Sequence, residues 1–378
     1  MRWVRVVLVL AVAGWAPAAS GWESGELRLR GRLQTCFEVE EWTARDGSES
    51  RWVSSFRLRR ARIDGRWKPA DRVRLVLEFE GAGDIRFADR FGPDGERMDA
   101  RREASIELKD AYGRFEIDRA LRVQLGQFKK PFSRLRMESP FDLFLPVRGL
   151  LNDCPVNDTR YGGYGGRDVG LMVYGRFKSL ARLTYHLGVF SGPRQQDMVE
   201  SSTKDYVARL QVRPFEGARL AVNWSHKVYH YKEGPTDADL GLVRGHAYTG
   251  NLLGADLRVK LAGVTLVLEG AVGDNLDLGP GHLLWGAHGT LYREFELTDG
   301  LTLTPAVMVE VYDPDDGDDR DPVLRLAGAV NLDVGELARF VVFAEGGTGA
   351  FAEWEAEEGA FVPRAPATRL FLQAQMAF

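Results

Sequence analysis

Hydrophobicity in this chain alternates with a period of two over stretches longer than soluble strands usually reach. Between 26 and 40 the odd positions carry Leu27, Leu29, Leu33, Phe37 and Val39, and the even ones Glu26, Arg28, Arg30, Arg32, Gln34, Cys36, Glu38 and Glu40. A backbone that points successive side chains to opposite faces turns such a pattern into a strand with one apolar and one polar face. The end of the chain repeats it, with Leu370, Leu372, Ala374, Met376 and Phe378 opposite Arg369, Gln373 and Gln375. Soluble strands commonly run about 5–6 residues, whereas these run long enough to cross a bilayer at a tilt, about 9–11 residues. Beyond the first twenty residues no apolar run approaches the ~18 residues that a membrane helix requires.

Sixteen such segments can be drawn: 26–41, 51–66, 71–81, 104–117, 120–129, 167–177, 180–190, 205–213, 217–229, 252–261, 263–273, 283–294, 299–312, 322–331, 337–348 and 367–378. Their connections alternate between tight turns, such as Lys68-Pro69-Ala70 and Asp118-Arg119, and long loops, the longest at 130–166. Short turns on one rim and long loops on the other describe an outer-membrane barrel. The expected fold is therefore all-β, a transmembrane 16-stranded antiparallel β-barrel with short periplasmic turns, long outer loops and an in-folded third loop. Before it, Arg2 and Arg5 precede an apolar stretch to Ala16 and the small residues Ala18-Ala19-Ser20, the pattern of a secretory signal peptide. Residues 1–20 are read as that signal and 21–378 as the barrel, exported to the outer membrane of a Gram-negative-type bacterium.

A barrel of 16–18 strands leaves an aqueous channel, so its inward face is the functional surface. Charge there is chosen unevenly: of 50 basic residues only nine are lysine, while the net charge is −4, which argues against nucleic-acid binding. Arg28, Arg30, Arg32, Arg57, Arg59, Arg60, Arg62, Arg66, Arg72 and Arg74 crowd onto three adjacent strands, provided that a bulge at Arg59-Arg60 keeps both sides of the Phe56–Arg66 register facing inward. Guanidinium groups keep their charge and meet anions with a rigid fork. Two readings of this wall stand: an anion path, or ion pairing with Glu26, Glu38, Glu40, Asp64, Glu78 and Glu80 that stiffens the barrel.

The stretch Phe56-Arg57-Leu58-Arg59-Arg60-Ala61-Arg62, followed by Lys109-Asp110-Ala111-Tyr112, Gly126-Gln127-Phe128-Lys129-Lys130-Pro131-Phe132-Ser133, Arg167-Asp168-Val169-Gly170, Gly188-Val189-Phe190-Ser191-Gly192 and Ala208 to Phe215, resembles the phosphate-selective porin O/P family. The resemblance spans most of the mature chain. It implies a trimeric anion channel for small anions such as phosphate, without cofactor, set in lipid and lipopolysaccharide. The alternative function is a structural, adhesive or plugged barrel without steady conductance. The resemblance also implies that the third loop folds into the lumen, where Lys129, Lys130, Arg134, Arg136 and Arg148 line a constriction. The loop's apolar content, including Phe132, Phe141, Leu143, Leu145, Leu150 and Leu151, needs cover, inside the lumen or at a trimer junction.

Catalysis finds no support: none of the six histidines sits in a His-Glu-x-x-His motif and no Gly-x-Ser-x-Gly elbow occurs. The run Asp313 to Asp321 has oxygen ligands at alternate positions but lacks the bidentate Glu of an EF-hand, so no metal is assigned. Cys36 falls on the inward register and Cys154 in the third loop; they form either a disulfide clamping the loop, in an oxidising compartment, or two separate thiols. The terminal Phe378 closes the apolar face that barrel-insertion machinery reads.

Overall fold

A computed structural model of the chain describes residues 25–43, 50–81, 85–86, 90–91, 97–98, 106–157, 163–192, 204–230, 243, 246–276, 278–317, 322–348, 351–355, 360–364 and 368–378. The signal-peptide expectation for 1–20 lies outside them. Sixteen strands form the barrel: β1 (Glu26–Thr43), β2 (Ser50–Ala70), β3 (Val73–Gly81), β4 (Ile106–Glu116), β5 (Arg122–Lys129), β6 (Arg167–Arg176), β7 (Thr184–Phe190) and β8 (Asp205–Val212). They continue with β9 (Ala218–His230), β10 (Ala247–Leu261), β11 (Val264–Asp274), β12 (Leu283–Arg293), β13 (Leu301–Asp313), β14 (Val323–Val334), β15 (Ala338–Thr348) and β16 (Arg369–Ala377). Each pairs antiparallel with its neighbour, and β16 closes on β1 from Arg32↔Ala377 to Glu40↔Arg369. Closure leaves no unpaired edge, which is what allows a sheet to stand in hydrocarbon.

The period of two works out as expected. Leu27, Leu29, Leu75, Leu77, Leu253, Val307, Val309, Leu370 and Leu372 are exposed on the outer face, while Gln34, Asp64, Glu78, Asn223, Glu310 and Gln373 are buried inside. Among the described residues no helix is long and apolar enough to cross a membrane. The bulge needed in β2 is present: Gln34 pairs with Arg60 and Thr35 with Leu58, so Arg59 is the extra residue and both sides of the register stay inward. The tight turns follow local backbone chemistry. Ala262 and Gly263, at φ 49° and 81°, form the two-residue link between Leu261 and its partner Val264, the positive-φ geometry that matches strand twist.

Several boundaries differ from the sequence reading: β2 runs on through Lys68-Pro69-Ala70, expected as a turn, and the turn falls at Asp71-Arg72 instead. β10 begins at Ala247 rather than near 252 because Tyr248, Thr249 and Gly250 continue the ladder with β9. The turn at Lys178-Ser179 is instead a short helix, Ser179–Arg182, whose end residues Ala181 and Arg182 take φ near 50°.

The third loop lies inside the barrel. It starts with a one-turn helix α1 (Arg134–Met137), capped by Ser133, and ends with a π-helical turn at Asn152–Asn157. Phe132, Leu150, Leu151, Val156 and Tyr164 pack with inward Phe128, Phe190, Tyr229, Leu252, Leu284 and Tyr312 near the long-loop ends of the strands. Lower down, Leu145 and Val147 pack with Cys36, Met308, Phe343 and Phe371. The loop's apolar residues are thus covered by its own barrel wall and need no subunit junction. Burying such side chains contributes about 1.5–3 kcal/mol each, which holds a loop of this length against its conformational entropy.

Candidate functional site

Polar groups along the loop meet polar side chains from strands on both sides of the β16–β1 seam. Glu269 of β11 accepts from the Ser133 hydroxyl, from the Arg134 and Leu135 amides at 3.0 and 3.2 Å, and from Asn152 Nδ2 at 2.9 Å. Glu310 of β13 accepts from the Leu151 amide at 3.1 Å. Asn331 of β14 donates to the Phe144 carbonyl at 2.9 Å, and Arg339 of β15 to that of Leu143 at 3.1 Å. Gln375 of β16 donates to the Phe141 carbonyl at 2.8 Å, Arg32 of β1 to the Ser139 hydroxyl at 2.9 Å, and Arg59 of β2 to the Pro146 carbonyl at 2.6 Å. A buried carbonyl left unmatched costs about 1–3 kcal/mol, so these partners fix the path of an otherwise irregular segment.

The arginine wall is largely ion-paired. Asp64, buried at 1% side-chain exposure, serves Arg30 at 3.1 Å, Arg66 at 3.5 Å and Arg32 at 3.8 Å. Arg62 bridges Glu78 at 2.9 Å and Glu80, which also lies 4.0 Å from Arg60. Arg57 pairs with Glu38, and Arg28 with Glu26 at 2.6 Å near the short-turn rim. Arg59 has no carboxylate partner among the described residues; it donates to Gln373 at 3.0 Å and stacks over Phe371. Arg74 is exposed on β3, while Arg72 falls in the turn before it rather than on the strand.

Of the loop cations expected at the constriction, only two reach toward that wall. Lys129 donates to the carbonyls of Arg136 and Glu138, and Arg148 to those of Leu135 and Glu138, all at 2.9–3.0 Å. Burial pushes the Arg148 guanidinium down to about 10, opposed by Asp153 and reinforced by Arg60, Arg62 and Arg167 facing it. Arg167 in turn bridges Asp110 at 2.7 Å and Glu78 at 3.3 Å. Six cations (Arg60, Arg62, Lys109, Lys129, Arg148 and Arg167) therefore gather with five carboxylates (Glu78, Glu80, Glu107, Asp110 and Asp153), an excess of one positive charge.

The other expected lining residues are placed differently. Lys130 is 2% exposed and does not line the lumen; it shares the buried carboxylate of Asp205 with Lys227, at 2.9 and 2.6 Å. Arg136 is buried, donating to the Gly165 carbonyl at 3.3 Å, and Arg134 pairs with Glu138. Each sits there because the loop's backbone and the β8–β9 wall offer acceptors that open water would otherwise supply. The two cysteines are not bridged: Cys36 packs with Leu145 and Phe371, whereas Cys154 lies against the separate cluster around Phe132 and Tyr164.

Sequence reasoning missed the polar partners on the second half of the barrel. Glu310, Arg325, Glu345, Arg369, Glu38 and Arg57 form a ladder of alternating sign over six adjacent strands, with separations of 3.6, 3.7, 3.0 and 3.5 Å before the final pair. It runs across the β16–β1 seam. The signal was available as charged residues on the inward register of β13–β16. In the Asp-rich loop, Asp315 accepts from its own turn and pairs with His282 at 2.9 Å. Among the described residues no group of three potential metal ligands gathers.

No family model matches the chain, and no curated protein is similar to it in sequence. Solved structures are similar in fold. An anion-selective porin from Comamonas acidovorans superimposes with a TM-score of 0.59 at 11% identity, covering 94% of this chain and 100% of that one. The high-pH structure of Pseudomonas putida OprB gives 0.61 at 10% identity, covering 94% of both chains. The outer-membrane channel DcaP of Acinetobacter baumannii gives 0.55 at 12%, covering 94% and 98%. The chain has the fold of outer-membrane porins; the motif resemblance to the phosphate-selective O/P group finds no support beyond that shared fold.

Proposed function

We propose that the protein is a non-enzymatic outer-membrane porin, a water-filled channel with a modest preference for small anions, phosphate among them. The observation that carries the reading is the excess of positive charge where Arg148 and Lys129 face the β2–β3 wall. Charges held within a Debye length of about 8 Å act together on a passing ion. The similar fold of a porin whose title calls it anion-selective supports the same direction. A homotrimer set in lipid and lipopolysaccharide, delivered by barrel-insertion machinery, fits this reading, and a similar barrel is described in a trimer form (OmpT of Vibrio cholerae, TM-score 0.54, 10% identity, 94% and 100% coverage).

The test is the reversal potential in a salt gradient across a planar bilayer. Replacing Arg60 and Arg62 by Gln leaves four cations against five carboxylates, so the anion preference should vanish. An unchanged potential in the double variant overturns the proposed ion path. Absence of any steady conductance in the unmodified protein overturns the channel itself.

A further inference from the structure

Between the underside of the third loop and the short-turn ends of β10–β13 lies a cavity of about 350 Å³, within the size range of small-molecule sites. Its floor is apolar, from Val267, Met308 and Leu145, and one side is formed by the rings of Phe144 and Tyr292, 4.6 Å apart. Into it face the guanidinium groups of Arg134 and Arg258 and the side chain of Thr290. Thr290 is only 7% exposed, and its hydroxyl has no hydrogen-bond partner; the Arg134 Nε–H is likewise buried without one. Neither atom has surface open to the cavity, so polar recognition there falls to the guanidinium of Arg258.

The charge balance narrows the ligand. Each carboxylate at the cavity has a cation near it: Glu138 pairs with Arg134 and lies within electrostatic reach of Arg258, Glu294 lies 3.7 Å from Lys260, and Asp142 is within electrostatic reach of Arg32, which also serves Asp64. Arg258 has no carboxylate within ion-pairing distance among the described residues; it contacts only the Tyr292 hydroxyl, at 3.4 Å. Directly opposite it across the β9–β10 ladder stands a second arginine, Arg219. One guanidinium without a close ion pair and a flat aromatic wall over an apolar floor suit a single carboxylate carried on a ring.

We propose that this cavity is a binding site for aromatic monocarboxylates, in which Arg258 holds the carboxylate and the ring lies against Phe144 and Tyr292. The inference rests on the porin reading and deepens it: the channel presents a selective stop for one solute class beneath its constriction loop. Bidentate guanidinium–carboxylate pairing supplies orientation, and ring burial supplies discrimination from small anions.

The experiment titrates benzoate, acetate and benzyl alcohol separately into the detergent-folded full chain by isothermal calorimetry, with chloride conductance recorded in parallel. Saturable benzoate binding is expected, at least fivefold tighter than acetate or benzyl alcohol. Arg258→Gln should weaken it about fivefold or more while chloride conductance persists. Equal weak binding of benzoate and acetate, or benzoate binding indifferent to Arg258→Gln, overturns the site even where the pore conducts normally. A protein that binds benzoate in this pattern but carries no steady current keeps the site and overturns the channel.

Discussion

Glu269 is the anchor on which the position of the third loop most depends, and its removal has a calculable consequence. Its carboxylate, 5% exposed, accepts four hydrogen bonds from the loop: the Ser133 hydroxyl, the Arg134 and Leu135 amides, and Asn152 Nδ2. Two of these donors belong to the first turn of α1, where helical amides have no internal acceptor. A charged acceptor contributes about 1.5–3 kcal/mol per bond, so the gross sum is roughly 6–12 kcal/mol. Part of this is recovered in Glu269→Leu, because Ser133 also bonds Asn152 and caps Arg136, and water reaches the freed amides. A net loss on the order of 4 kcal/mol remains, about three decades in the population of the undocked loop. Planar-bilayer recordings of Glu269→Leu should show larger, noisier single-channel conductance. Glu269→Gln, which keeps the acceptor oxygen for the two backbone amides, should fall between. A correctly folded Glu269→Leu barrel with the conductance and quiet trace of the unmodified protein would refute the assignment of Glu269 as anchor.

Three further outcomes follow from the same contacts. Arg369→Leu cuts the seam ladder between Glu38 and Glu345 and leaves buried carboxylates short of a cation, so the heat-modifiable transition in detergent should drop measurably, by roughly 3 kcal/mol of stability; an unchanged transition argues that the ladder is neutral. Deleting Phe378, whose backbone exchanges hydrogen bonds with Gly31 at 2.7 and 2.9 Å and whose ring occupies the space a Gly31 side chain would need, should leave periplasmic aggregates, and normal outer-membrane insertion counts against this. Because Cys36 and Cys154 lie in different clusters, a maleimide reagent should label both in unfolded, non-reduced protein; protection of both thiols would contradict their placement.

The sequence by itself determined the barrel. Period-two alternation is local: each residue's side follows from its neighbours, so all sixteen strands, the bulge at Arg59 and the inward arginines of β1–β3 could be read without the fold. Strand ends were less legible, as at β10, because a ladder such as Tyr229↔Tyr248 continues past the point where apolar alternation fades. What only the tertiary structure decided is what the inward charges touch. Asp64 gathers three arginines from two strands, Lys130 meets Asp205 from 75 residues away, and Glu269 reaches donors more than 100 residues earlier. Whether a guanidinium faces water, a carboxylate or a loop carbonyl depends on where an irregular 37-residue loop is folded back into the lumen, between β5 and β6. No periodicity encodes that path. It is set by which buried carbonyls and amides find partners on distant strands, and so the net charge at the constriction emerges only once the loop is in place.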